Sequence, residues 1–512
     1  MAGGELARET SRWRLVVTAL LVVVVCAAFS PALDVFISGD DFEWLESSYD
    51  VLRDPLSSFR LENHFFRPLV KWSYLIDYLV FGQNAVGYMI TNLAIHFLNA
   101  LLLFWLLKRK LRQSLVAAAA TAAFALSPLH SEGVLWAAGR PDTILPVFFL
   151  AAILLLDSWC ERRTTNLLVA FAVVALIGIG AKETWIVFPF IATVYPPLVW
   201  HVPITTTVRR LAVVWIAWLV YVAAFIVVPA ASGSATAAHY ADFRILPAFY
   251  KTASTVFAFF GLGFAPAQPW LLAVAILFAI GCAVWFLRIR DGFGLWALVW
   301  LCATLAIVAP FQVSVLRHNY IPLLGFWMVL ASICDQVLVR TKGSRWRLAA
   351  AAMALAGTTV VVVEAVALQR EITDYRVYGE LHRRLCQSFL QAEDRISREI
   401  PLLLVDRSTF RGVEFVADRV QGIDKTFFVR RNALWQLVFL PPLADFLGDP
   451  FEERLVREEL NTGEHLPEKL TVLYFNDSGF ALRPDLREVL FAATSASGEL
   501  PSGVDLYRFT VE

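Results

Sequence analysis

The stretch LVVTALLVVVVCAAFSPALDVFISGDDFEWLE (15–46) decides the fold. Its first part, 15–33, is an unbroken apolar run. Its end, SGDDFEWLE (38–46), holds four carboxylates in nine positions. The run is too long for the core of a signal peptide and no small-residue cleavage site follows it, so it reads as a retained first membrane span. Asp40 and Asp41 then stand side by side within about one helical turn of the bilayer surface, where any polar sequence would have served to leave the membrane.

The rest of the chain agrees with a membrane reading. Of its 512 residues 58% are hydrophobic and 17% charged, and the mean hydropathy is +0.61. Soluble domains have about 45–50% apolar and about 25% charged residues. Lys plus Arg equals Asp plus Glu, 44 each, so no charge excess points to nucleic acid. Cys26, Cys160, Cys282, Cys302 and Cys334 lie in or beside apolar runs, and only Cys386 falls in the polar part, so neither a metal spacing nor a disulfide framework is expected.

Candidate spans are 15–36, 86–107, 114–130, 142–159, 165–181, 184–200, 211–230, 246–265, 270–288, 293–311, 319–339 and 346–368. Arg8, Arg12 and Arg14 put the N terminus in the cytoplasm by the positive-inside rule. Simple alternation then keeps Lys108, Arg109, Lys110, Arg112, Arg162, Arg163, Arg209 and Arg210 inside. Arg288, Arg290, Arg340, Lys342, Arg345 and Arg347 stay inside only if 246–265, with Lys251, Gly261 and Gly263 and followed by Pro266 and Pro269, does not cross. The expectation is an all-α polytopic membrane protein with about eleven crossings and one non-crossing segment. Residues 1–371 form that membrane domain. Residues 372–512 form a small α/β domain outside, with helical periodicity over 372–396, a strand at 400–406, and two strands around an Asn-Asp-Ser-Gly turn in 470–483.

Ionisable residues concentrate on the outer side. The first external loop (37–85) holds Asp40, Asp41, Glu43, His64, Arg67 and Lys71. SPLHSEGVLWAAGRPDTILP (127–146) holds His130, Glu132, Arg140 and Asp142, GAKETWIVFP (180–189) holds Lys182 and Glu183, and FQVSVLRHNYIPLLGF (311–326) holds Arg317 and His318. Each has a bland reading. Asp40 and Asp41 read as solvated juxtamembrane acids, Arg67 before Pro68 as a snorkelling anchor, and Lys182–Glu183 as a surface ion pair. Asn92, His96 and Asn99, at i, i+4, i+7, read as hydrogen-bond glue between helices. Trp44, Trp136 and Trp185 read as an interfacial belt. The four loops together, each mixing acids and bases, suit an anionic substrate carried on a lipid.

On these phrases the chain resembles the GT-C glycosyltransferases, and most of all the transmembrane, tetratricopeptide-repeat O-mannosyltransferases. The matching residues are Asp40-Asp41, FRPL (66–69), FGQNAVGYMITNLAIHFLNALLL (81–103), FALSPLHSEGVLWAAGRPDTI (124–144), Lys182-Glu183 and RHNYIPLLGF (317–326). The likeness runs from residue 15 to about 340. GRPD stands where a GRAD-like phrase is usual, and a short α/β tail stands in place of the repeats, which leaves the acceptor open.

The resemblance implies an inverting transferase that moves a sugar from a polyprenyl-phosphate carrier to a hydroxyl of a protein, glycan or lipid, in the cytoplasmic membrane of a bacterium. One carboxylate takes the acceptor proton. Asp41 is preferred over Asp40, because Phe42 and Trp44 follow as sugar-stacking walls. Arg140, Lys182 and Arg317 bind the donor phosphate. His64, Arg67, His130, Glu132, Asp142, Glu183 and His318 shape the pocket. No cofactor is expected, although Asp40, Asp41 and Glu43 could ligate a divalent metal. The rival reading, a transporter or flippase of a lipid-linked or anionic solute, calls for ionisable residues near the bilayer midplane and paired repeats, and the sequence shows neither. A non-catalytic receptor that binds a partner through its tail is the third.

Overall fold

A computed structural model describes residues 19, 22–38, 40–60, 65–82, 84–224, 245–260, 269–308, 316–341, 344–393, 402–406, 471–476, 479–482 and 505–508. Every expected span contains a helix. They are α1 (Val22–Asp34), α4 (Ala85–Lys110), α5 (Ser114–Leu126), α7 (Arg140–Arg162), α8 (Thr165–Ile177), α9 (Phe188–Trp200), the pair α10 (Ile204–Arg210) and α11 (Ala212–Val222), α12 (Ile245–Phe259), α13 (Pro269–Ile289), α14 (Gly292–Val308), α15 (Tyr320–Arg340) and α16 (Ser344–Glu393). The loop between the first two expected spans is itself helical, with α2 (Asp41–Arg53) and α3 (Pro68–Phe81), and a short α6 (Ser131–Leu135) lies between the third and the fourth.

Among the described residues five stretches suffice by length and hydropathy to cross a membrane: Ala85–Lys110, Ala137–Arg162, Trp270–Ile289, Leu316–Arg340 and Arg345–Glu380. Two further pairs, Ser114–Leu126 with Pro128–Leu135 and Ile204–Arg210 with Ala212–Val222, pass together but bend by 53° and 67°. The chain is therefore a multi-pass membrane protein. Leu277 on α13 and Leu355 and Val363 on α16 stay exposed, as side chains that face lipid must.

Inside the bundle α7 packs against α4 and α8, and α14 against α15. Polar bonds tie the helices where hydrocarbon offers no alternative partner. Asn99 donates to the Thr143 carbonyl (2.7 Å) and the Tyr320 hydroxyl (3.1 Å), and His96 bonds the same hydroxyl (2.6 Å) and the Ala125 carbonyl (2.9 Å). Asn92 donates to the carbonyls of Val134 and Trp136. The 92–96–99 face is the interhelical glue its spacing suggests.

Among the described basic residues used to orient the chain, Arg109, Lys110, Arg112 and Arg340 lie at one end of the bundle. Arg109 and Lys110 both pair with buried Asp157, which also accepts from Tyr195 (2.6 Å) and Trp200 (2.7 Å). Nearby, Asp335 accepts from the N–H groups of Arg112 and Gln113 at the start of α5, groups a helix start would otherwise leave unpaired.

One expectation needs correction. Trp136 and Trp185 are buried rather than part of a belt. Their indole N–H groups donate to the carbonyls of Ser38 (2.9 Å) and Ala175 (2.7 Å), which removes the reason for an indole to seek the headgroup layer. The change in composition near residue 372 falls inside one unbroken helix, α16. Beyond it, β1 (Leu402–Asp406), β2 (Thr471–Asn476), β3 (Gly479–Leu482) and β4 (Asp505–Arg508) form one sheet in the order β3-β2-β1-β4. β1 runs parallel to β2 and antiparallel to β4. The β2–β3 hairpin closes with Asn476 opposite Gly479, at the turn its sequence marks.

Candidate active site

Charged residues of the four segments 40–71, 130–142, 182–183 and 317–318 meet at the end of the bundle opposite the basic one. Each is brought there by a helix start or a short turn. Arg67 precedes Pro68, whose ring suits the first turn of α3. Asp40 is the N-cap and Asp41 the first residue of α2. Glu132 lies on α6, Arg140 and Asp142 open α7, and Arg317 lies in the turn before α15. The segment between Ser127 and Arg140 doubles back on itself. A Cβ on Gly139 would lie 2.4 Å from the Glu132 carbonyl, so only glycine lets these turns meet.

Three ion pairs cross between elements. Arg67 grips Glu183 with a two-pronged bond (2.9 and 2.7 Å), Lys182 meets Asp142 at 2.5 Å, and Arg317 meets Glu132, which also accepts from the Arg317 backbone N–H at 3.2 Å. These pairs form one cluster. Lys182 feels the charges of Asp142, Arg67 and Arg317, and Arg317 those of Glu132, Asp142 and Asp40. Burial lowers the proton affinity of Lys182, with Asp142 opposing. Arg317 also lies over the Trp136 ring, 5.0 Å from its centre.

Asp41 and Arg140 sit beside this cluster in deeper surroundings. Arg140 is wholly buried. It pairs with Asp77 at 2.6 Å, donates to Asn92 (2.7 Å), Ser73 (3.2 Å) and the Tyr88 carbonyl (3.2 Å), and covers the Tyr74 ring at 4.3 Å. Its guanidinium is thus spent on the protein. Asp41 is 1% exposed. Its Oδ2 accepts from the Ser38 N–H (2.7 Å), and its Oδ1 from the Tyr74 hydroxyl (3.3 Å) and the Ala138 N–H. Asp40 is half-buried and its side chain makes no capping bond.

His130 bonds the Phe124 carbonyl through Nε2 (2.7 Å) and stacks near Tyr320, so it props the 127–139 turn from behind. His318 is half-buried beside Arg317. His64 and the side chains of Phe42 and Glu43 lie outside the described residues. Among the described residues no three His, Cys, Asp or Glu side chains gather as a metal-holding group. Sequence reading passed over Asp77 and Tyr74. The signal for Asp77 was there, since an acid inside the apolar helix LVKWSYLIDYLVF (69–81) needs a buried partner.

Burial pushes the Asp41 carboxyl up to about 7, against the backbone N–H bonds from Ser38 and Ala138. The folded chain therefore holds this proton more tightly than the unfolded chain. That contribution to stability is full below the ordinary carboxylate range and is lost as pH rises through about 7. The melting midpoint in detergent is expected to fall between pH 5 and pH 8, and to fall less in Asp41→Asn. Equal slopes in the two proteins would show that Asp41 is not the group responsible.

No model of a known protein family matches the chain. It is similar to Protein O-mannosyl-transferase Tmtc1 of Drosophila melanogaster, 31% identical over 119 residues, which are 23% of this chain and 14% of that protein. Protein O-mannosyl-transferase Tmtc3 of the same organism is 29% identical over 163 residues, 27% of this chain and 18% of that protein. The chain thus spans under a fifth of the length of these curated relatives, and they are of the kind its residue pattern resembles. Among solved structures, ArnT from Cupriavidus metallidurans bound to undecaprenyl phosphate superposes with a TM-score of 0.49 at 14% identity, covering 96% of this chain and 100% of that one.

Proposed function

We propose that this chain is a GT-C glycosyltransferase, which moves a sugar from a polyprenyl-phosphate carrier to a hydroxyl acceptor on the outer face of a bacterial cytoplasmic membrane, with inversion. The observation that carries the reading is the meeting of the Arg67–Glu183, Lys182–Asp142 and Arg317–Glu132 pairs at one end of the bundle, with Asp40 within electrostatic reach of Arg317. A carboxylate and fixed cations stand together where a lipid-borne phosphate would arrive. The similarity to protein O-mannosyl-transferases supports it.

In this mechanism the acceptor oxygen attacks the anomeric carbon, and its proton passes to a carboxylate. The bond from that carbon to the phosphate oxygen breaks, and its electron pair leaves with the phosphate. A single displacement inverts the carbon. We assign the base to Asp40 rather than Asp41, reversing the preference drawn from Phe42 and Trp44. Both Asp41 oxygens accept backbone N–H groups and the residue is 1% exposed, out of reach of an acceptor, whereas Asp40 is only half-buried and faces the field of Arg317. Asp41 then holds the 38–41 turn. Charge growing on the phosphate is met by Arg317 and Lys182, where preorganised cations lower the barrier. Arg140 becomes a structural partner of Asp77 rather than a phosphate ligand.

The remaining parts follow the same scheme: about eleven crossings, α12 on the non-crossing segment, the basic end in the cytoplasm, and the residues after 372 as an outer domain. Two measurements test this. Purified protein should transfer mannose from a polyprenyl-phosphate mannose to a hydroxyl acceptor or, slowly, to water. Cysteines placed in the 40–60 region and in the tail should react with an impermeant label from outside. A tail labelled only from the cytoplasmic side would refute the orientation. Absence of transfer from every polyprenyl-phosphate hexose tried would refute the reaction.

A further inference from the structure

Helix α16 is far longer than a membrane requires. The stretch Arg345–Glu380, which contains an apolar window fit to cross a membrane, has 36 residues, about 54 Å of helix at about 1.5 Å per residue, whereas about 20 residues cross the hydrocarbon layer. The second half stands clear of the bilayer and lies against the site. Ser131, next to Glu132, donates to the Glu371 carboxylate at 3.1 Å. Tyr375 is buried and close enough to Arg317 to act on its charge. A Cβ on Gly379 would lie 2.6 Å from the backbone nitrogen of Phe36. Residues 371, 375 and 379 follow at i, i+4, i+8, one face of the helix, and that face touches two of the segments that carry site residues and lies within electrostatic reach of a third.

Neighbouring bonds fix the contact. Gln369 donates to the Ala28 carbonyl (2.7 Å), Arg376 pairs with Asp34 (2.9 Å), and the Arg383 guanidinium lies 5.3 Å from the Phe36 ring centre. Trp136 holds the Ser38 carbonyl from the other side. The segment 34–41, which ends in Asp40-Asp41, is therefore clamped between α16 and the 131–138 turn.

We propose that the outer half of α16 is a positioning strut of the active site, with the Glu371–Tyr375–Gly379 face holding the 34–41, 131–132 and 316–317 segments in register. The catalytic consequence rests on the glycosyltransferase reading; the mechanical one does not. None of these residues touches the reacting atoms. They act through the placement of those that do.

The test uses the full chain in detergent and two readouts. One is amide hydrogen exchange of segment 34–41 by mass spectrometry. The other is turnover with polyprenyl-phosphate mannose, with kcat and KM separated. Gly379→Ala should speed exchange in 34–41 and lower kcat by about 10²-fold, the scale of a misplacement of about 1 Å, with KM held within about twofold. Glu371→Ala should do the same more weakly. Glu371→Gln, which still accepts from Ser131, should restore both. Val377→Ala, on the exposed face, should change neither. Unchanged exchange in both Gly379→Ala and Glu371→Ala overturns the strut, as does faster exchange with unaltered kcat. Should Gly379→Ala fail to fold, the Glu371 pair decides. If exchange responds as stated while the unaltered protein transfers no sugar, the strut stands and the glycosyltransferase reading fails.

Discussion

Asp40→Asn is expected to lower turnover by roughly 10²–10⁴-fold, the usual contribution of a general base, while binding of polyprenyl phosphate and the melting midpoint stay near those of the unaltered protein. Asparagine keeps the size of the side chain and removes only the proton acceptor. Asp40 is half-buried and makes no capping bond from its side chain, so the start of α2 does not depend on its charge. Asp41→Asn should differ in kind. Two backbone N–H groups and the Tyr74 hydroxyl point at the Asp41 carboxylate. An amide can offer an acceptor to only one side, so one donor is left facing another donor, at a cost of about 1–3 kcal/mol. That variant should lose turnover together with order in the 38–41 turn. The two profiles separate base from anchor: loss in kcat alone marks the base, and loss shared with stability marks the anchor. The opposite pattern would return the base to Asp41, and normal turnover in the double variant would leave this turn without a catalytic role.

The helices were legible because hydrocarbon demands long apolar runs and tolerates little else, and the basic residues marked one end of them. The β2–β3 hairpin was legible from its turn residues alone. What escaped was pairing. Arg140, Lys182 and Arg317 look equivalent as residue types in outer loops, and only the fold shows that Asp77, Ser73, Asn92 and Tyr88 already occupy Arg140. The same holds for Trp136 and Trp185, since an indole at a bilayer edge and one bonded to a buried carbonyl leave the same mark on a sequence. The polarity change near residue 372 falls within α16, because a helix satisfies its own backbone and has no need to stop where its surface turns polar.

The three cations should separate just as clearly. Arg317→Ala is expected to weaken binding of polyprenyl phosphate by about 1.5–3 kcal/mol, the range of a hydrogen bond to a charged group, or roughly ten- to a hundredfold in affinity. Its guanidinium keeps 25% side-chain exposure and lends one terminal nitrogen to Glu132, so it can extend a fork to an arriving phosphate. Lys182→Ala should lose less binding, because its ammonium is 7% exposed and already bonded to Asp142. Arg140→Ala should leave the affinity of correctly folded protein nearly intact. It strips buried Asp77 of its counter-charge, and breaking a buried pair from one side costs about 3–5 kcal/mol of stability. The loss should appear as a lower melting midpoint and poor yield, and Asp77→Asn together with Arg140→Gln should recover part of it, since that double change removes both charges at once. Titration of each folded variant with polyprenyl phosphate in detergent, beside its melting curve, decides the matter. Equal affinities for Arg317→Ala and the unaltered chain would leave the cluster as scaffolding for the outer turns, and a large affinity loss confined to Arg140→Ala would put the phosphate in the deeper site, against Tyr74.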